Sequence, residues 1–135
     1  MLLVAAASTL AALTVSGGVE GMQLRSSVRE IAANLRLARA QAISTGRPQR
    51  FVIDPQGHAW QGVKGKRGAV PRKLGIAFTG ARQVQPQDGV GAIVFFPDGA
   101  STGGRIQVNS RGAGWNVDVA WLTGEVRLHR TRGEP

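Results

Sequence analysis

The strongest constraint on this chain of 135 residues lies at its beginning, because residues 1–19 contain no charged side chain. Leucine, valine and alanine dominate this segment and make it the most apolar stretch of the sequence. A helix needs about 20 apolar residues to cross a bilayer, and here the apolar run stops short, at Ser16, Gly17 and Gly18. We interpret residues 1–19 as a membrane-directed helix without its first residues; a helix buried in a soluble core is the alternative.

The next segment, residues 20–46, has the periodicity of a helix. Its apolar side chains recur every three or four residues, which places them on one helical face. The stripe expected to pack against the rest of the protein includes Leu24, Val28, Ile31 and Leu35. The positions off the stripe carry Arg25, Arg29, Arg36 and Arg39, which predict a basic outer face. Gly46, followed by Arg47 and Pro48, predicts the end of the helix.

From residue 47 onward, apolar side chains recur at every second position, which is typical of strands. In the clearest case Trp115, Val117, Val119 and Trp121 alternate with Asn116, Asp118 and Ala120. About seven short strands are expected between turns, and residues 64–68 are interpreted as a basic loop. The predicted fold class is α+β, with a long N-terminal helix packed on an antiparallel, β-sandwich-like head of residues 47–135.

The residues with catalytic potential do not form a recognisable site. The chain has no cysteine, which excludes disulfides, thiolate metal sites and cysteine nucleophiles. His58 and His129 lie in predicted strands and have no metal ligand at a suitable spacing, and Ser101 has no predicted base. The acids Asp54, Asp88 and Asp98 follow or precede Pro and Gly in turns, where aspartate bonds to backbone amides. We expect neither catalysis, nor a metal, nor a cofactor.

The net charge of +9, from 17 Lys and Arg against 8 Asp and Glu, predicts attraction to acidic partners. Nucleic acid is one such partner, since Trp60 or Trp115 could stack on bases. The candidate phosphate contacts are Lys64, Lys66, Arg67, Arg72 and Lys73, together with Arg127, Arg130 and Arg132 near the C-terminus. The favoured interpretation is that these are solvated turn charges and that the tryptophans face the core, because no base-reading motif is present.

Four sequence features, taken in order along the chain, resemble those of a known family. They are the charge-free start, the arginine-studded helix, a segment reading Phe95-Phe96-Pro97-Asp98-Gly99 that leads to Gly103-Gly104, and the closing Trp121-Leu122-Thr123-Gly124-Glu125. This order resembles the GspH/FimT-type minor pseudopilins, and among them the H-type pseudopilins of bacterial type II secretion. The resemblance covers nearly the whole chain. The Phe-Phe-Pro-Asp-Gly segment is its most specific part, and the helix pattern its least.

The resemblance implies a pilin-like protein that assembles rather than catalyses. Its expected place is the bacterial inner membrane, with residues 1–19 as a single-pass anchor and filament core, and with a periplasmic head. It would act at the tip of a pseudopilus to help export folded proteins. The expected partners are other minor and major pseudopilins, inner-membrane lipid, and secreted cargo or the outer-membrane channel.

A FimT-like minor pilin that binds DNA for uptake is the alternative implied by the same resemblance. Under that alternative Arg127, Arg130 and Arg132 would contact DNA, whereas under the secretion interpretation they are candidate contacts for an acidic partner. Proteins of the family begin with a basic leader that ends in Gly, followed by an apolar segment with a glutamate. Since neither is present here, we expect the reading frame to continue upstream of Met1; a degenerate copy of the family is the alternative.

Overall fold

The computed structural model describes the backbone of residues 2–81 and 85–131, and the side chains of this part from Gly18 onward. It contains a helix, α1 (Leu2–Thr45), followed by strands. These are β1 (Gln49–Asp54), β2 (Ala59–Gln61), β3 (Arg67–Ala69), β4 (Gly75–Gly80), β5 (Gly91–Phe95), β6 (Gly104–Ser110), β7 (Ala113–Val119) and β8 (Val126–Thr131). The expected membrane anchor, residues 1–19, lies almost entirely outside the described side chains. A search of the described residues finds no helix with the length and apolarity to cross a membrane.

The second half of α1 buries the predicted apolar stripe. Leu24, Val28, Ile31 and Leu35 are at most 2% exposed. The helix ends at Thr45, and Gly46 takes the left-handed conformation expected of a C-terminal cap, with φ +68°. The Gly46 amide donates to the Ala42 carbonyl at 3.1 Å, which satisfies one of the carbonyls that a helix end leaves free.

Within the described residues, these strands form two antiparallel sheets of four strands each. The first has the order β3-β2-β1-β5, and the second has the order β4-β6-β7-β8. Helix α1 packs against β1 and β5 of the first sheet and against β6, β7 and β8 of the second. One hydrophobic core therefore joins the helix to both sheets, and Phe51, Phe95, Ile93 and Ile106 are among its fully buried members. The architecture is the predicted helix on an antiparallel, two-sheet head.

The structure corrects the interpretation of residues 64–68 as a loop, because Arg67 and Gly68 belong to β3. The indole of Trp60 lies across Gly68, where a Cβ atom would overlap the ring. Gly68 is thus a strand residue that makes room for an aromatic ring, a use that glycine spacing alone does not reveal.

Two further positions differ from the expected strands. His58, expected in a strand, lies in a turn with φ +51°. β7 ends at Val119, so Trp121 does not continue the inward alternation and is 66% exposed. The stretch after Val119 turns because Gly124 closes it with a hydrogen bond to the Ala120 carbonyl at 2.8 Å. The alternation of buried and exposed side chains therefore ends at Val119, one apolar residue before the end that the sequence pattern predicted.

Candidate assembly surface

The turn after β5 is built by backbone hydrogen bonds that the Pro-Asp-Gly sequence favours. The Gly99 amide donates to the Phe96 carbonyl at 2.8 Å, and the Phe96 amide donates to the Ala100 carbonyl at 2.8 Å. Gly99 has a φ of +91°, which a residue with a side chain rarely adopts. The Asp98 carboxylate accepts from the Ala100 amide at 3.0 Å, so this aspartate holds the turn as the sequence predicts.

Ser101 connects this turn to the chain after β7. Its hydroxyl donates to the Ala120 carbonyl at 2.9 Å and accepts from the Gly103 amide at 2.9 Å. Its own amide donates to the Trp121 carbonyl at 2.7 Å. Ser101 is 5% exposed, and its hydroxyl both donates to and accepts from the backbone. It therefore links the two loops through hydrogen bonds.

Two arginines of α1 bind these loops and the start of β8. We call this contact the helix–head joint, which consists of Arg36 and Arg39 and the carbonyls of Gly99, Thr123 and Val126. The Nε–H of Arg39 is shared between the carbonyls of Gly99, at 3.1 Å, and Thr123, at 3.0 Å. Arg36 Nη2 donates to the Val126 carbonyl at 3.0 Å. The prediction of a basic outer face with four arginines is therefore partly wrong, because two of the four, Arg36 and Arg39, attach the helix to the head.

The joint is close enough to exclude a side chain at Gly124. A Cβ atom there would overlap the Gly99 carbonyl oxygen, and the φ of Gly124 is +70°. The carbonyl partners of Arg39 lie 60 and 84 positions away in sequence. No spacing rule links residues at such distances, so sequence reasoning missed the joint.

The joined loops present an exposed apolar surface, which we call the apolar rim: Phe96, Trp121 and Leu122. Their exposed fractions are 38%, 66% and 68%. Phe96 and Trp121 border an open groove of about 740 Å³ that runs past Ser101 to the end of β4. Apolar side chains exposed together on a rigid support are characteristic of a protein contact. The pattern had assigned Trp121 to the core, so the rim was not predicted.

The charges on the outer face of the second sheet are largely paired. Arg105 Nε lies 2.6 Å from Asp118 Oδ1, and Arg127 Nη2 lies 3.2 Å from Glu125 Oε2. The hydrogen bond to Asp118, and then the charge of that carboxylate, raises the pKa of Arg105. Arg130 is exposed on β8, and Arg132 lies outside the described residues. Arg127 and Arg130 are three positions apart on β8, so their side chains point to opposite faces of that strand.

The residues nominated for nucleic-acid binding are also separated by the fold. Trp60 is 3% exposed and stacks on Phe51, with 5.6 Å between ring centroids, so its face is not available to a base. Trp115 is half-buried. The five cations between residues 64 and 73 are exposed, and Arg67 lies on β3 of the first sheet, whereas β8 belongs to the second. Among the described residues, no three His, Asp or Glu side chains converge as a metal site would require.

Comparison with known proteins places this architecture in a family. The family model described as "Type II transport protein GspH" matches residues 27–124. Type II secretion system protein H of Xanthomonas campestris pv. campestris is 56% identical over 125 residues, which is 93% of this chain and 74% of that protein.

Solved structures share the fold at low identity. The type IV minor pilin FimU of Pseudomonas aeruginosa has a TM-score of 0.61 at 19% identity, covering 82% of this chain and 90% of FimU. The minor pseudopilin EpsH of the Vibrio cholerae type 2 secretion system has a TM-score of 0.60 at 20% identity, covering 79% of this chain and 96% of EpsH. Since pilus and secretion proteins share this fold, the distinction between them rests on the family match and on the 56% identical relative. On both grounds the chain belongs to the GspH family, the H-type pseudopilins of type II secretion.

Proposed function

We propose that this pseudopilin acts at the tip of the pseudopilus and meets its neighbouring subunit through the apolar rim. The family is periplasm-facing and works by association with other pseudopilins. The observation that supports a contact at the rim is its exposure: Trp121 and Leu122 are 66% and 68% exposed although they are large and apolar. Covering such side chains with a partner removes apolar surface from water, which is the main favourable term in association.

The backbone that carries the apolar rim is held in place by hydrogen bonds, which suits it to binding a neighbouring subunit. Ser101 fixes the backbone of Trp121, and Arg39 fixes Thr123, so the rim is held from both sides by hydrogen bonds. A surface that is rigid before binding loses less conformational entropy when it binds. The proposed role is therefore structural, with the head as a shaped building block and without a chemical step.

The rest of the molecule would serve the same assembly. Residues 1–19 are proposed to anchor the subunit in inner-membrane lipid and then to enter the filament core. Residues 20–46 connect this part to the head of residues 47–135. Secreted cargo or the outer-membrane channel would meet the head from the periplasm, and both major and minor pseudopilins would contact the subunit.

The test replaces the rim in the full chain with Trp121→Ser and Leu122→Ser, expressed in a bacterium that lacks its own copy of the gene. Secretion of the system's substrates into the medium should fall at least about tenfold, as expected when a contact of hot-spot strength is lost. The matched control is Trp121→Phe with Leu122→Met, which keeps the surface apolar and should secrete normally. Normal secretion by the double serine variant, at equal protein level and melting temperature, would contradict the proposed contact.

A further inference from the structure

The β2–β3 hairpin and the chain that follows it, residues 59–73 together, form one edge of the first sheet. We call this segment the basic hairpin. β3 is an edge strand in the order β3-β2-β1-β5. The Gly62 amide donates to the Lys66 carbonyl at 2.8 Å, and the Val70 amide donates to the His58 carbonyl at 2.8 Å. Since antiparallel residues alternate in direction, Lys66, Gly68 and Val70 face β2, and the N–H and C=O groups of Arg67 and Ala69 point away from the sheet.

An open groove of about 730 Å³ lies beside this edge, on the outer face of the first sheet. Val52 of β1, Ala59 of β2, Ala69 of β3 and Val90 supply apolar lining, and Arg67 stands at its border. A polypeptide that paired with the free edge of β3 would point every second side chain to this face. Among residues 2–81 and 85–131 no strand pairs with this side of β3, so the groove offers an apolar binding surface next to an unpaired strand edge.

Positive charge predominates around the edge, where Asp54 is the carboxylate that lines the groove. The exposed cations of the basic hairpin are Lys64, Lys66, Arg67, Arg72 and Lys73. The sequence has no carboxylate between Asp54 and Asp88, and within residues 18–81 and 85–131 none of the five cations forms an ion pair. Cations on an exposed strand edge repel other basic strands and so hinder unspecific pairing. They also attract acidic strands, so the hairpin cations favour an acidic partner.

We propose that the basic hairpin binds an extended, acidic segment of a partner protein, which adds as a strand to the edge of β3. Its apolar side chains would occupy the groove, and its carboxylates would lie near the hairpin cations. A polypeptide fits better than nucleic acid because the edge presents backbone groups, the groove is apolar, and Trp60 is buried. This contact involves other residues than the apolar rim, whose members follow β5 and β7 on the loops that Arg39 binds.

The first measurement is the anisotropy of a peptide that carries fluorescein on its N-terminal amine, fluoresceinyl-(Glu-Val)₄-amide, titrated with the full chain in mild detergent. The peptide fluoresceinyl-(Lys-Val)₄-amide reverses the charge, and fluoresceinyl-(Glu-Pro)₄-amide keeps the charge but loses every second N–H donor. Both should bind at least about tenfold more weakly than the glutamate-valine peptide. Equal binding of the glutamate-valine and glutamate-proline peptides would overturn strand addition.

Two variants of the protein locate the site. Ala69→Pro removes an N–H that points away from the sheet, so it blocks the edge without breaking a hydrogen bond of the hairpin. Combining Lys64→Gln, Lys66→Gln and Arg67→Gln removes three cations. Each change should weaken the glutamate-valine peptide about tenfold or more, with an unchanged melting temperature.

The matched control removes the same number of exposed cations from elsewhere, as Arg25→Gln, Arg111→Gln and Arg130→Gln, and should bind the peptide as the native chain does. If the control weakens binding as much as the hairpin variant, the attraction is diffuse and the proposal fails. It also fails if a DNA duplex of about 20 base pairs binds more tightly than the peptide and is insensitive to Ala69→Pro, since that marks a general polyanion surface. Loss of secretion in the rim variant tests the proposed function separately.

Discussion

The arginines of the helix–head joint and the cations of the basic hairpin carry the same charge in different surroundings. Arg36 and Arg39 donate to backbone carbonyls of the head, at 3.0–3.1 Å. Lys64, Lys66 and Arg67 are exposed, and among the described residues no carboxylate pairs with them. The net charge of +9 therefore combines cations that hold the fold together with cations that face the solvent.

The difference teaches that a cation's role depends on which acceptors the fold brings to it. At the joint, backbone carbonyls of the head that would otherwise need water accept hydrogen bonds from guanidinium groups. These arginines therefore position the helix on the head. At the hairpin, the neighbouring groups are apolar side chains and a strand edge, so the charge remains available to a partner. Substitutions at the two sites should therefore differ in their effect on stability.

The largest effect is expected in the apolar stripe beneath the joint. Leu35→Ala should destabilise the protein by about 2–5 kcal/mol, because Leu35 is 0% exposed and its truncation leaves a cavity in the hydrophobic core. Ile31→Ala should behave alike. Urea unfolding followed by circular dichroism measures the change, and Ala33→Gln, at an exposed helix position, is the control. An unchanged midpoint in both core variants would mean that the stripe does not hold the head.

An intermediate effect separates the joint from the hairpin directly. Arg39→Met should cost about 1–3 kcal/mol, since the carbonyls of Gly99 and Thr123 lose their donor. Lys64→Met, at an exposed position without a partner among the described residues, should stay within about 0.5 kcal/mol. The same unfolding measurement serves both variants. If the two cost the same, the contrast between joint and hairpin is wrong.

The smallest effect concerns the cations near the C-terminus. Arg127→Ala, Arg130→Ala and Arg132→Ala together should weaken binding of double-stranded DNA only at low salt. At near-physiological salt the native chain and the triple variant should both bind negligibly, because counterion release accounts for the whole attraction. A filter-binding titration at two salt concentrations decides this. Tight binding of the native chain at physiological salt that is lost in the variant would favour the DNA-uptake alternative.

Patterns within single elements were readable from the sequence. The spacing of Leu24, Val28, Ile31 and Leu35 predicts the buried helix face, and Gly46 before Arg47 and Pro48 predicts its end. Asp98 and Asp54 cap turns as expected, since each accepts a backbone amide two or three residues later. These features depend on neighbours within a few positions, where helical and turn geometry alone determine the contacts.

Contacts between distant residues were decided by the tertiary structure. The pattern placed Trp121 in the core, yet β7 ends before it, because Ser101 and Gly124 draw the chain into a turn beside Arg39. Gly68 resembles a loop glycine in the sequence and is a strand residue beneath Trp60. The sequence alone determined the helix, the alternation of the strands and the absence of thiol chemistry, because these follow from local geometry and composition. Which cations support the fold and which are exposed was determined only by packing, since the acceptors of Arg39 lie 60 and 84 residues away in the chain.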